Sequence, residues 1–151
     1  MKITIIAIGK SKRDAVAELC AEYEKRLSWP VKILESDSKG ANKPNIKEIE
    51  AEQIAAQIPK GAMIVALDER GKNPTSKEFA ESIKSWQNAG QSHLCFIIGG
   101  ADGLDIGILK RADYKLAFGA MTWPHRLVKV MLLEQIYRAK TILDGHPYHR
   151  D

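Results

Sequence analysis

The sequence predicts an α/β fold, a mostly parallel sheet with helices on both of its faces. Three observations carry this expectation. Strand-like runs and helical patterns alternate five times along the 151 residues, the order that builds parallel sheets. Several strand runs are continuously apolar, as strands covered on both faces must be. The length, with 44% hydrophobic and 28% charged residues, suits a single domain spanning 1–151 that buries its own core.

The elements follow in order. KITIIAI (2–8) opens the chain as a strand. SKRDAVAELCAEYEKRL (11–27) places Val16, Leu19, Tyr23 and Leu27 on one helical stripe, with Ser11 as its cap. VKILES (31–36) is a second strand, and DSKGANKP (37–44) a polar loop inside the domain. NIKEIEAEQIAAQI (45–58) repeats Ile46, Ile49, Ile54 and Ile58 in helical register and stops at 59–61. AMIVALD (62–68) is the third strand. TSKEFAESIKSWQNAG (75–90) begins with a capping box of Thr75 and Glu78 and ends at Gly90. HLCFIIG (93–99), a short helix at about 103–111, YKLAFG (114–119) and a long helix at about 125–143 complete the pattern.

Charge is unevenly spread. Residues 1–109 hold 15 Lys+Arg and 15 Asp+Glu, whereas residues 110–151 hold eight basic and four acidic groups. The whole excess of +4 therefore lies in the last 42 residues, with three of the four histidines. Such asymmetry points to a polyanionic partner, the plainer alternative being a solvated face. Cys20 and Cys95 fall in a helical and a strand pattern. They read as buried free thiols in a reducing cytosol. No metal-ligand spacing of Cys and His is present. The apolar start is too short to span a membrane and lacks a signal-peptide cleavage pattern, so the expected location is cytoplasmic, without membrane attachment.

Ligands of open α/β sheets bind at the carboxyl ends of the strands, and three such ends stand out: ALDERGKNPTS (66–76), IIGGADGLD (97–105) and FGAMTWPHR (118–126). The spacing of Gly99, Gly100 and Gly103 after the fourth strand departs from the dinucleotide fingerprint, which disfavours a nicotinamide oxidoreductase. Adjacent glycines serve either close approach of backbone to a ligand or a tight turn, and both readings stay open. FGAMTWPHR offers main-chain groups beside an apolar wall, as an adenine ring requires. The last helix carries Leu127, Met131 and Leu143 on one side, Val128, Leu132 and Ile136 nearby, and Val130, Leu133 and Tyr137 beyond. This band is wider than one sheet needs and predicts a homodimer interface. Glu134 and Arg138 are either a surface pair or an arginine held to face a phosphate or base. The chain ends DGHPYHRD (144–151), a dense group of His146, Tyr148, His149 and Arg150 where chains usually fray.

IIGGADGL, MTWPHRLVKVMLLEQIYRAKTI and HPYHRD, with the opening MKITIIAIGK and the piece AEYEKRL, resemble the RlmH family of SPOUT methyltransferases over essentially the full length. The resemblance implies a C-terminal trefoil knot, a homodimer, and S-adenosylmethionine (SAM) as methyl donor without a metal. It implies methylation of N3 of pseudouridine 1915 in 23S rRNA on the assembled ribosome. It places Leu67, Gly99, Phe118, Gly119, Ala120, Met121, Thr122 and Trp123 at the cofactor, with Gly119 and Ala120 making this loop smaller than in some relatives. The tail of one protomer is implied to complete the site of the other. On chemical grounds His149 can take or relay the N3 proton, and Tyr148 can stack on or hydrogen-bond the base. His125 and Arg138 are rival catalytic candidates. Arg126, Lys129 and Arg150 are the expected RNA contacts. The alternatives are a SPOUT enzyme for another rRNA or tRNA nucleotide, and a non-catalytic ribosome-binding protein.

Overall fold

Successive residues of a strand face opposite sides of its sheet, so a strand covered by helices on both faces must be apolar at every position. The computed structural model, which describes residues 1–37 and 43–150, follows this rule in the buried stretches of β1, β3 and β4, Thr4 apart. Strands β1 (Lys2–Ile8), β2 (Val31–Ser36), β3 (Met63–Lys72), β4 (His93–Ile98) and β5 (Tyr114–Leu116) form one parallel sheet in the order β2-β1-β4-β3-β5. The helices between and after them are α1 (Ala15–Arg26), α2 (Ile46–Ala55), α3 (Ser76–Asn88), α4 (Ile106–Arg111) and α5 (His125–Leu143). Ile3, Ile5, Val65, Leu94 and Phe96 face one side and pack with Cys20 of α1, Phe79 and Ile83 of α3, and Leu132, Leu133 and Ile136 of α5. Ile6, Ile8, Ile64, Cys95 and Ile97 face the other, against Ile54 of α2 and Ile108 and Leu109 of α4. Each fully buried side chain of this kind contributes about 1.5–3 kcal/mol. Helix α5 packs against both α1 and α3, and its core face is Leu132, Leu133, Ile136 and Ala139, while Leu127 is 41% exposed.

The elements lie where the sequence puts them, and the differences have local causes. Asp14, not Ser11, caps α1: its carboxylate accepts from the amide of Ala17 at 3.2 Å, while the Ser11 hydroxyl donates to Glu35 at 2.5 Å. On α1 the buried place belongs to Cys20, and Leu19 is 44% exposed. β3 runs on to Lys72 through a register shift against β5. Gly71 permits this, since a Cβ there would stand 2.7 Å from the Lys115 backbone. β4 and β5 end at Ile98 and Leu116, short of the expected 99 and 119. The polar loop at 37–44 falls mostly outside the described residues. Cys20 and Cys95 are free and buried, and burial pushes the Cys95 thiol up to about 12. Among the described residues no helix is long and apolar enough to cross a membrane.

The capping box of α3 is formed in both directions, with the Glu78 amide donating to Thr75 Oγ1 and the Glu78 carboxylate accepting from the Thr75 amide at 2.7 Å. Thr75→Ala should cost about 1 kcal/mol. Urea unfolding followed by circular dichroism measures this, and an unchanged midpoint would show that the box contributes nothing net.

Candidate active site

The carboxyl ends of β3, β4 and β5 open onto one cavity of 770 Å³, the place and the size expected for a small-molecule site in an open α/β sheet. Leu67, Ile98, Leu116, Phe118, Trp123 and Val128 give it apolar walls, and Lys47, Asp68, Glu69, Arg70, Asp102 and His125 give it charge and polarity. Of the residues assigned to the cofactor by resemblance, Leu67, Gly99, Phe118, Gly119, Met121, Thr122 and Trp123 line it, and Ala120 does not. The loop that leads into α5 is held to the extended end of β3. The Gly119 amide donates to Asn73 Oδ1 at 2.9 Å and Thr122 Oγ1 donates to Glu69 at 3.0 Å. Within the loop, Trp123 Nε1 donates to the Phe118 carbonyl at 3.0 Å. Arg70 clamps Asp68 through Nε and Nη2, both at 3.1 Å, and holds that carboxyl below the usual carboxylate range.

The glycines of the β4 end serve the turn. A Cβ on Gly99 would stand 2.8 Å from the Gly103 carbonyl carbon and 3.0 Å from the Leu104 amide. Gly103 has φ +77° and donates its amide to Gly100 at 3.1 Å. A Cβ on Gly100 would meet the carboxylate of Glu50 at 2.8 Å, a residue only 4% exposed on α2. The loop is thus folded on itself and against α2, and its shape as a cavity wall follows from that packing.

The first turn of α5 forms another wall. The His125 ring lies against Gly9, where a Cβ would come within 2.8 Å of Nε2 and where φ is +100°. Arg126 Nη2 donates to both carboxylate oxygens of Asp14, at 2.8 and 2.6 Å. Lys129 is not on the surface: it is 4% exposed, donates to Ser11 Oγ at 2.5 Å and is ion-paired with Glu35. Two of the three cations expected at RNA, Arg126 and Lys129, are therefore turned toward the protein's own carboxylates. The signal for Lys129 was present, since it stands three, four and seven residues before Leu132, Leu133 and Ile136, in register with the core face.

The chain end packs on α5. Glu134 Oε1 accepts from Arg138 Nε at 2.9 Å, from Arg138 Nη2 at 2.5 Å and from the Tyr148 hydroxyl at 3.1 Å. Arg138 Nη1 is 3.1 Å from His149 Nδ1. The Tyr148 ring meets Tyr137 edge-on, centroids 4.7 Å apart, with the Arg138 guanidinium 4.8 Å from its centre. Burial, followed by the hydrogen bond with Tyr23 and the charge of Glu134, holds the Tyr148 phenol protonated far above the usual value. Tyr148, His149 and Arg138 are thus brought together, whereas His125 belongs to the cavity; Arg150 is exposed. No tail residue lines the cavity of its own chain. A second groove of 610 Å³ between α3 and α5 is lined by Tyr23, Val130, Met131, Glu134 and Arg138, and it shares Leu116, Ala117 and Phe118 with the first. Sequence reasoning missed Lys47, Asp68, Glu69, Arg70 and Asp102. The charged triplet of 68–70 at a strand end was the available clue. Among the described residues, no group of three or more His, Cys, Asp or Glu is placed to hold a metal ion.

Residues 1–149 match the family model described as "Predicted SPOUT methyltransferase". Solved structures agree at the level of the fold. A probable methylase family protein from Haemophilus influenzae Rd KW20 superposes with a TM-score of 0.61 at 12% identity, over 99% of this chain and 70% of that one. The SpoU methyltransferase AviRb from Streptomyces viridochromogenes gives 0.52 at 12% identity, over 96% and 61%. The protein is a methyltransferase of the SPOUT class. Among more similar chains, the ribosomal RNA large subunit methyltransferase H of Rhodospirillum centenum is 45% identical over 99% of both chains. That of Zymomonas mobilis is 46% identical over 100% of this chain and 99% of its own, and that of Neisseria gonorrhoeae 43% over 100% of both. The chain belongs to this ribosomal RNA large subunit methyltransferase H family, RlmH.

Burial of Glu35 raises its pKa, but the hydrogen bonds from Lys129 and Ser11 outweigh that, and the net shift is downward. A carboxyl lowered in the folded state contributes stability that is complete above its unfolded value, about 4.3. That contribution is lost as pH falls through the lower folded value. Between about pH 5 and pH 3 the parent should lose stability more steeply than Glu35→Gln, which cannot titrate. Denaturant midpoints across that range test this, and parallel slopes would refute it.

Proposed function

We propose that the protein methylates N3 of pseudouridine 1915 in 23S rRNA, using SAM, on the assembled ribosome. It acts as a homodimer whose C-terminal half forms a trefoil knot and is at work in the cytoplasm. The observation that carries this reading is the 770 Å³ cavity at the strand ends, lined by seven of the eight residues that the family resemblance assigns to the cofactor. Its chemistry fits SAM. Leu67, Phe118 and Trp123 offer apolar faces to an adenine ring, and the main chain at 99 and 118–123 offers edge hydrogen bonds. For the knot, the support is topological: β5 lies beyond β3 at the sheet edge, yet α5 returns to lie against α1 and α3.

SAM supplies an electrophilic methyl carbon and a neutral thioether leaving group. The protein's task is to hold N3 in line behind that carbon, a form of positioning that contributes about 7–11 kcal/mol. N3 must also lose its proton as the N–C bond forms. A guanidinium only donates, so His149 Nδ1 accepts from Arg138 and the ring carries its proton on Nε2. In this arrangement His149 is a donor to a uracil oxygen, and Tyr148, held as a phenol, is no base either. The tail then acts by stabilising the anionic base while the proton passes to water. On this reading His149 acts as a donor, where the sequence offered it as a proton acceptor or relay. Arg150, exposed beside them, is the cation for a phosphate.

The tail rests on α5 beside the groove of Val130 and Met131, away from its own cavity. A second copy docked on α5 would receive the tail at its cavity.

Labelled SAM should transfer its methyl group to 23S rRNA in ribosomes and poorly to free RNA. Label in another RNA species would redirect the assignment, and absence of SAM binding by calorimetry would remove it. Met131→Glu places charge in the α5 groove and should yield monomer by sedimentation; an active dimer would exclude this face. A mixed dimer of a chain truncated after Asp144 and a Gly99→Val chain should regain activity lost in each parent variant. A dead mixture would show that each chain completes its own site.

A further inference from the structure

We propose that Lys129 is a positioning residue for methyl transfer, through which the loop after β1 sets where His125 stands at the rim of the cofactor cavity. This rests on the SAM reading above. Lys129 lies one helical turn after His125 on α5 and is 4% exposed. Its ammonium donates to Ser11 Oγ at 2.5 Å and pairs with Glu35. Glu35 in turn accepts from the Ser11 amide at 2.8 Å and from the Ser11 hydroxyl at 2.5 Å. Two residues earlier the Gly9 amide donates to the Ser36 carbonyl at 2.7 Å. The loop is therefore fastened to the end of β2, and Lys129 fastens α5 to both. Arg126 adds a second tie to the same loop at Asp14, and Glu24 of α1 feels the same ammonium.

A lysine is a poor choice if α5 only needed burial. A methionine or leucine in register with Leu132, Leu133 and Ile136 would fill the place without removing a charge from water. What an apolar side chain lacks is direction. Helix α5 begins at Pro124 with no side-chain hydrogen bond capping its first turn, so the usual device that fixes a helix start is missing. The bonds of Lys129 and Arg126 supply it, and they set both the height and the rotation of that turn. His125 follows: its ring is lodged against the bare Cα of Gly9, at the other end of the loop that Lys129 holds.

The test compares Lys129→Met, Ser11→Ala and Glu35→Gln in the full-length protein. In Lys129→Met, kcat for ribosome methylation should fall at least about tenfold while SAM affinity changes by less than about threefold. The imidazole C–H resonances of His125, read by NMR without SAM, should move. Those of His93, which is bonded to Thr4 where β4 begins, should stay. Glu35→Gln withdraws the counter-charge of the buried ammonium and should lower kcat in the same way, with the same movement of the His125 signals. Ser11→Ala removes one bond without stranding a buried charge. It should show the same pattern in milder form, and it decides the matter if Lys129→Met does not fold. Unmoved His125 signals, or parental kcat in Lys129→Met or, failing that, in Ser11→Ala, would overturn the proposal. So would parental kcat in His125→Ala. A parent protein that methylates no RNA would instead overturn the functional reading, and the NMR comparison would still judge the geometry.

Discussion

Lys129 carries a full charge into the seam where α5 meets the ends of β1 and β2. Taking an ammonium out of water costs several kcal/mol, and the pairing with Glu35 offsets that only because geometry and partners are nearly complete. Ser11 satisfies a further proton of the ammonium and a further site on the carboxylate. The net contribution to stability is small compared with either term. Its consequence is positional. Three chain segments distant in sequence are held in one arrangement, and one of them, the start of α5, stands at the cleft. Burial acts to raise Glu35, but the bonds from Lys129 and Ser11 depress it on balance, whereas Glu24 is raised by desolvation against the pull of the same ammonium.

The wall made by the β4 end is set by a different constraint, steric and not electrostatic. Gly99 and Gly100 have no room for a Cβ because Gly103, Leu104 and Glu50 occupy that space. A methyl group at either place must displace backbone or a buried carboxylate, and the 99–104 loop would open away from α2. Helix α2, on the sheet face opposite α5, thereby takes part in shaping the cavity, and Lys47 reaches the rim from it. The cleft is closed from both faces of the sheet. That is why it needs strand ends from the middle of the strand order, β4 and β3, and not from an edge alone.

What could be read from the sequence was what local chemistry determines. The box of Thr75 and Glu78 spans three residues and was legible. So were strand ends, because glycines and a proline mark them within a few positions, and with them most of the cavity lining. Bonds between distant segments were not. Lys129 and Glu35 are 94 positions apart, and Arg126 and Asp14 are 112 apart. No spacing rule joins them, so two lysine- and arginine-type signals read as an RNA-facing surface. Lysine is seldom buried without a partner, so core register alone does not predict its burial. The same reasoning explains Ser11: as a residue before a helix it looked like a cap, and only the fold reveals the carboxylate that claims it. The double glycine was ambiguous for an opposite reason, since a tight turn and a close approach to a ligand ask for the same residue.

The chain end shows how a short, proline-broken segment can be ordered without secondary structure. Fixing five residues costs roughly 5–10 kcal/mol of backbone entropy, and hydrogen bonds to solvent-facing groups alone would not offset it. Tyr148 supplies the missing term, with its ring between Tyr137 and the Arg138 guanidinium and its hydroxyl on Glu134. Arg26, 6.0 Å from the Tyr137 ring, extends the same stack toward α1. Glu134 is the hub, since it orients Arg138, and Arg138 in turn lies 3.1 Å from His149 Nδ1. A side chain oriented by an arginine that is itself oriented by a carboxylate has little freedom left. The surface of one helix therefore carries two separate devices. The first turn of α5 belongs to the cavity at the strand ends, and the turns around 134–138 belong to the tail. Held at different heights along one helix, they do not meet within one chain, since no tail residue lines the cavity.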